Sequence, residues 1–301
     1  MIGILSIAIV SSWYFTSLKG VSVKVKLYKP PEFYYTNEKI YVEFIVTNKR
    51  KDTVYLYPVD KGVYTGNANI AIFHLPSGRR FCTSHLLACM PFSAKSMRPW
   101  KRIFSIHIPP YHRAHNIVEI NSIFLGEAKQ PLNDQFVLKG GTVHLLCKGD
   151  SVFPPGIDCL ARICAKGRRE KGKDVSFEEM KQILRKNVAP YCFGYGWYIL
   201  QATTHEEINI VAPPPEEWQV YTRLKELKEI PELERFLETH SNSRYAPLIV
   251  EKLLHKLQNK LKNIKNDEEK ENYKTKINNL KKKYSGFLVP KVIIEPIELR
   301  K

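Results

Sequence analysis

The sequence predicts a mainly β chain: a β-sandwich with loop and helix insertions over residues 21–211, followed by a small all-α helical-hairpin unit. Three observations carry this. Val21–Pro58 alternates apolar and polar residues, Pro213-Pro214-Pro215 then interrupts the chain, and beyond it apolar residues recur every three or four positions. A period of two puts successive side chains on opposite faces of a strand, whereas a period near 3.6 gathers them on one face of a helix. Several short strands separated by turn residues suggest two packed sheets.

Val21, Val23, Val25 and Leu27 alternate with Ser22, Lys24 and Lys26, and Ile40, Val42, Phe44 and Val46 alternate with Tyr41, Glu43 and Thr47. Val54–Tyr57 follows the polar turn Asn48–Asp52, and Asn69–Leu75 ends at Pro76-Ser77-Gly78. Phe81–Pro99 lacks periodicity and reads as a loop-rich insertion. Ile103–Ile108 alternates before Pro109-Pro110, and Val118–Leu125 is a further apolar run. Gly140-Gly141 reads as a turn into Thr142–Cys147, where Val143, Leu145 and Cys147 share a face. Between Lys148 and Pro190 the β rhythm breaks; Ser176 and Glu179 match a capping box for a short helix ending near Asn187. Gly194–Ala202 restores strand character with Tyr198, Leu200 and Ala202 on one side. Thr203–Glu206 reads as a turn and Glu207–Val211 as the closing strand.

Ala212–Pro215 is a stiff extended linker and the clearest domain boundary. Trp218, Tyr221, Leu224 and Leu227 mark the apolar stripe of a first helix, and Leu233, Phe236 and Leu237 that of a second opened by Pro231. Ser243 is the expected cap of a third helix, with Pro247 in its first turn and Leu254, Leu257, Leu261 and Ile264 on its face. Asn266-Asp267 offers a stop and a new cap for a fourth, carrying Tyr273, Ile277, Leu280 and Tyr284. The last two form an antiparallel hairpin, with one long helix through Asn266 as the alternative. The helical unit is thus expected over 212–285 and an extended tail over 286–301, where Pro290 and Pro296 limit any strand to a sheet edge.

At 301 residues, 44% hydrophobic and 26% charged, the chain can bury a sizeable core. Its net charge of +17 favours anionic partners, namely acidic surfaces, phospholipid head groups or nucleic acid, against the plain alternative of a Lys-rich solvated surface. Glu251–Lys283 alone holds eleven lysines against five acids, a net of +6. Residues 1–20 read as a signal peptide or membrane anchor, because Ile2–Val10 is uncharged and apolar, and membrane association would run through residues 2–18. No Lys or Arg precedes that run, and a buried first strand or helix is the alternative. Export is the expectation.

Six cysteines, Cys82, Cys89, Cys147, Cys159, Cys164 and Cys192, suit a disulfide framework in an exported chain. Cys82, His85, Cys89, His144 and Cys147 are the candidate zinc ligands, although their spacing follows no established pattern. The residues therefore predict no cofactor and no catalytic group. A Gly-x-Ser-x-Gly elbow and a Walker-type phosphate loop are both missing from the sequence. Arg162, Lys166, Arg168, Arg169, Lys171 and Lys173 form a basic stretch followed by Tyr191, Phe193, Tyr195 and Trp197, a composition shared by single-strand nucleic-acid binders and by sandwich cores.

The opening VSVKVKLYKPPEFYYTNEKIYVEFIVTN and the closing GWYILQATTHEEINIVAPPPEEW resemble the first and last strands of immunoglobulin-like modules in exported prokaryotic proteins. PELERFLETHSNSRYAPLIVEKLL resembles a tetratricopeptide-type helix pair of envelope proteins, around Phe236-Leu237-Glu238 and Ser243-Arg244-Tyr245-Ala246. The resemblance implies adhesion, assembly or spacing. The expected function is a non-catalytic, exported binding or scaffold protein of the cell envelope or extracellular space, with a protein partner or a second copy. The rivals are a protein that binds nucleic acid or an anionic polymer through its basic surface, and a zinc- or cysteine-dependent enzyme.

Overall fold

The computed structural model describes residues 18–56, 69–82, 106–120, 126–148 and 195–298, with residues 176, 178, 179 and 182. Two sheets and four helices make up the described fold. Strands β1 (Val21–Leu27), β3 (Tyr41–Asn48), β8 (His112–Glu119) and β11 (Val292–Pro296) form an antiparallel sheet in the order β1-β3-β8-β11. The second sheet is seven-stranded and runs β2-β10-β9-β4-β7, where β2 is Tyr34–Tyr35, β4 Val54–Leu56, β7 Ile106–Ile108, β9 Asp134–Lys148 and β10 Tyr195–Val211. On the β4 side of β9, its N-terminal half pairs with β5 (Asn69–His74), which pairs in turn with β6 (Arg80–Cys82).

The alternating residues close one core between the sheets. Ile40, Val42, Phe44 and Val46 are all fully buried, and so are Val143, Leu145 and Cys147 on β9. They pack with Val25, Leu27, Ile72, Leu200 and Ile208 in a single apolar cluster. On the outer face of the first sheet, Glu43 is also buried. Its carboxylate meets His115 Nδ1 at 2.7 Å and Lys26 Nζ at 3.1 Å, and His115 Nε2 reaches Glu295 of β11 at 3.2 Å. One polar row therefore crosses all four strands, with partners for the buried carboxylate.

Two expected turns lie inside strands. Gly140-Gly141 sits within the unbroken β9, and Thr203–Glu206 within the 17-residue β10. They face each other: Gly140 pairs with Thr203, and the register shifts between Thr203 and Glu206, a bulge on β10. Gly140 takes φ +144°, and a Cβ there would stand 2.2 Å from the Ala202 carbonyl oxygen, so only glycine lets the two backbones approach. β8 also begins earlier than the apolar run at Val118 indicates. Its outward residues include Arg113 and His115, and its inward ones include His112, Ala114 and the buried Asn116, so polar residues on both faces hide the alternation from hydropathy. Ser176 caps as expected, its Oγ accepting the Glu179 N–H at 3.1 Å.

Beyond the prolines, α1 (Pro215–Glu226), α2 (Ile230–Thr239), α3 (Ala246–Asn263) and α4 (Asp267–Lys283) bury Leu224, Leu233, Leu237, Leu253, Leu257 and Ile277 in a second core. The chain breaks at Asn266, whose Oδ1 accepts the Glu269 N–H at 3.1 Å, so α3 and α4 are a hairpin and not one helix. Ser243 does not cap α3. The cap position is Tyr245, and Ser243 Oγ donates to Glu217 at 2.7 Å while accepting the Tyr245 N–H at 3.1 Å. Lys252 Nζ donates to the Leu224 and Lys225 carbonyls at 2.6 and 3.3 Å, satisfying the C-terminal end of α1. After a 3₁₀ turn (Ser285–Phe287), the tail returns to the first sheet as β11, paired with β8.

Candidate functional site

The residues singled out from sequence do not assemble into one centre among the described residues. Cys82 lies in β6 and His144 in β9, each described by its backbone, while His85, Cys89, Cys159, Cys164 and Cys192 lie outside the described residues. So do Arg162, Lys166, Arg168, Arg169, Lys171 and Lys173, the aromatics Tyr191 and Phe193, and the apolar N-terminal run. Cys147 is a free thiol buried in the core between the two sheets. Burial pushes its thiol up, against the opposing pull of Arg50 and the Tyr198 hydroxyl, which disfavours the reactive thiolate. Among the described residues no three His, Cys, Asp or Glu side chains converge as metal ligands. No described helix is long and apolar enough to cross a membrane.

One polar trio has the composition of a hydrolytic site. His74 Nδ1 lies 2.5 Å from Ser77 Oγ, and its Nε2 lies 2.5 Å from Asp134 Oδ1. Such a trio needs a hydroxyl free to attack and donors for the developing oxyanion. Ser77 stands instead on the exposed Pro76–Gly78 turn, and its oxygen accepts the Arg79 N–H at 3.2 Å. The His74 ring rests on Phe136, 5.1 Å between centroids. These contacts brace the turn against the first residue of β9, which is a structural role.

The densest constellation is the junction between sheets and helices. Arg244, just ahead of α3, stacks over Tyr35 at 4.4 Å and Phe33 at 4.9 Å. Its guanidinium donates to both oxygens of Glu38, at 2.7 and 3.2 Å, and to the Phe33 carbonyl at 2.7 Å. A planar fork over aromatic faces is a task for Arg and not Lys. Burial raises the Glu38 carboxyl, while the Tyr35 N–H and Arg244 pull it back down. The neighbouring Tyr245 is fully buried, and its hydroxyl donates to the Thr36 carbonyl at 2.6 Å. Its ring continues an aromatic row through Tyr221 to Trp218.

Two further links flank this latch. Lys39 pairs with Glu119 of β8 at 2.9 Å and with Glu251 of α3; burial opposes its charge, but the two carboxylates more than compensate and raise it. Glu127 accepts from Lys225, at 2.6 Å, and from the Tyr221 hydroxyl, and both contacts hold its carboxyl low. The triple proline, read from sequence as a spacer, therefore joins two units that are held by directional contacts. Sequence reasoning noted Arg244 and Tyr245 only as part of a helix-pair pattern. The signal available was an Arg-Tyr pair preceding a helix, which nothing in sequence ties to Phe33–Glu38.

With the junction fixed, the hairpin presents its charge outward. Lys265, Lys270, Lys281 and Lys282 are exposed and have no acidic partner among the described residues, whereas Lys274 pairs with Glu271 and Lys276 with Glu234. The acids of the hairpin gather in the first turn of α4, at Asp267, Glu268 and Glu269, where they meet the helix dipole, and Lys281–Lys283 occupy its last turn. An open groove of about 770 Å³ lies between α1 and α2, lined by Glu216, Glu217, Glu226, Arg223 and His240 among others. Its carboxylates outnumber its cations, so it is unsuited to binding anions. Comparison with protein-family models, with curated proteins and with solved structures finds no match.

Proposed function

We propose that the chain is a non-catalytic, exported binding and scaffold protein whose basic α3–α4 hairpin docks on an anionic surface of the cell envelope or extracellular space. In this reading the two-sheet unit is an immunoglobulin-like module and the helices a tetratricopeptide-like segment, used for assembly and spacing. The observation that carries the proposal is the set of exposed lysines, without ion-pair partners among the described residues, on a hairpin that the Arg244–Tyr245 latch holds in place. A rigid cationic face attracts clustered phosphates or carboxylates without local refolding, and its attraction is screened by salt over roughly 8 Å at physiological ionic strength.

The test is binding of the full chain to vesicles of neutral lipid with and without anionic lipid, across a salt series. Binding that requires the anionic lipid, weakens with salt and drops on combined Lys265→Gln, Lys281→Gln and Lys282→Gln substitution supports the proposal. Equal binding to neutral vesicles, or an unchanged affinity in the substituted protein, overturns it.

A further inference from the structure

We propose that the outer edge of β11 is a homodimer interface, on which a second copy of this chain adds its own β11 antiparallel about a two-fold axis at Ile293. β11 is the last strand of its sheet. Ile117 N–H donates to the Lys291 carbonyl and Ile297 N–H to the Tyr111 carbonyl, each at 2.9 Å, and the ladder pairs Val292 with Asn116 and Pro296 with His112. In an antiparallel ladder this pattern turns the backbone groups of residues 291, 293, 295 and 297 toward β8. Those of Val292 and Ile294 point away from it, and neither residue has a backbone partner on that side among the described residues.

The same two residues carry exposed apolar side chains. Val292 is 38% and Ile294 43% exposed, and with Leu75 they are the exposed large hydrophobics of the described residues. Open backbone donors beside an apolar pair constitute a template for strand addition. The flanking prolines, Pro290 and Pro296, limit how much chain can add.

The edge is complementary to itself. About an axis at Ile293, Val292 meets the partner's Ile294 and Ile294 meets the partner's Val292. Each of these pairs exchanges both N–H···O bonds, so all the outward donors and acceptors of the two residues are satisfied. The same register sets Lys291 opposite the partner's Glu295, a favourable cross-strand charge pair. Sliding by two residues in one direction places the Val292 carbonyl against the partner's Pro296, and in the other the Ile294 carbonyl against the partner's Pro290; neither ring has an N–H to give. The slide also separates the opposite charges. Donor pattern, apolar pair and charge pair all map onto themselves under one two-fold rotation, which is what an isologous contact requires and why the occupant is a second copy.

The inference rests on β11 alone, so failure of the anionic-surface proposal leaves it standing, and the reverse. A contact of one strand belongs to the small class of interfaces, so sedimentation equilibrium of the full chain is carried to about 1 mM. The expected result is a reversible dimer. Ile294→Pro removes an outward donor but no bond to β8, and at an edge facing solvent proline is tolerated. It removes two of the four intermolecular bonds and weakens the dimer at least about tenfold, with the circular dichroism spectrum retained. Ile293→Cys provides an independent readout, since the axis brings the two copies of that position to a Cα separation of roughly 4.5 Å, within disulfide reach. Mild oxidation then yields a covalent dimer in which mass spectrometry maps position 293 linked to position 293. A monomer throughout the series, a dimer indifferent to Ile294→Pro, or no link between those positions overturns the proposal.

Discussion

Removing one hydroxyl separates the latch from the rest of the core. In Tyr245→Phe the ring stays in its buried site, and what is lost is the 2.6 Å bond to the Thr36 carbonyl. Thr36 is itself only 1% exposed, and its N–H and hydroxyl are engaged with Val211 and Leu132, so its carbonyl is left without that donor in a dry site. A buried acceptor stripped of its partner costs about 1–3 kcal/mol. For a chain of this size that is a fall in Tm of roughly 2–5 °C. Tyr34→Phe is the matched control. Tyr34 is 4% exposed, and its hydroxyl has no hydrogen-bond partner among the described residues, so the substitution deletes a buried polar group that was already unsatisfied. Stability is expected to stay level or rise by about 1 kcal/mol. Calorimetry and urea titration of both variants check this. A Tyr245→Phe deficit below about 0.5 kcal/mol, or one matched by Tyr34→Phe, refutes the account of the junction.

Three other outcomes are expected. Arg244→Leu removes the cation that pulls Glu38 down, so the already raised carboxyl rises further. A folded carboxyl that binds its proton more readily than the unfolded one gains stability as pH falls from its folded pKa toward about 4. Urea titrations at several pH values should therefore show the variant's deficit shrinking on acidification, and parallel curves would contradict the pairing. Gly140→Ala places a methyl 2.2 Å from the Ala202 oxygen at a φ that side chains avoid; a loss of about 3 kcal/mol or more, or insoluble protein, is expected in denaturant titration and expression trials. Lys252→Met keeps the aliphatic stem but loses the donors to the Leu224 and Lys225 carbonyls, and should lower stability by about 1 kcal/mol in the same titration.

What could be read from the chain was whatever depends on local periodicity. Ile40–Val46, Asn69–Leu75 and the helical stripes of Leu224, Leu233 and Ile277 needed no knowledge of their neighbours, because an amphipathic face is written into one segment. Asn266 likewise announced its cap. β8 stayed hidden because the polar His112 and buried Asn116 on its inward face blur the alternation, and because Asn116 donates to the Lys291 carbonyl, 175 residues away.

The same limit accounts for the candidate sites. The basic charge of the hairpin was evident as composition, but which lysines lack an acid is a matter of geometry. Gly140-Gly141 and Thr203–Glu206 carry turn residues, and in isolation each favours a turn. Only their pairing across β9 and β10 makes them a bulge inside one long ladder. The latch of Arg244 and Tyr245 on Phe33–Glu38, and the return of β11 to the first sheet, join residues some 200 positions apart. Segment propensity is a local free energy set by side-chain spacing, so sequence determined the strand-rich and helical parts and the change from one to the other at the prolines. Tertiary packing alone decided which distant polar groups found partners, since that depends on how the sheets and helices close over one another.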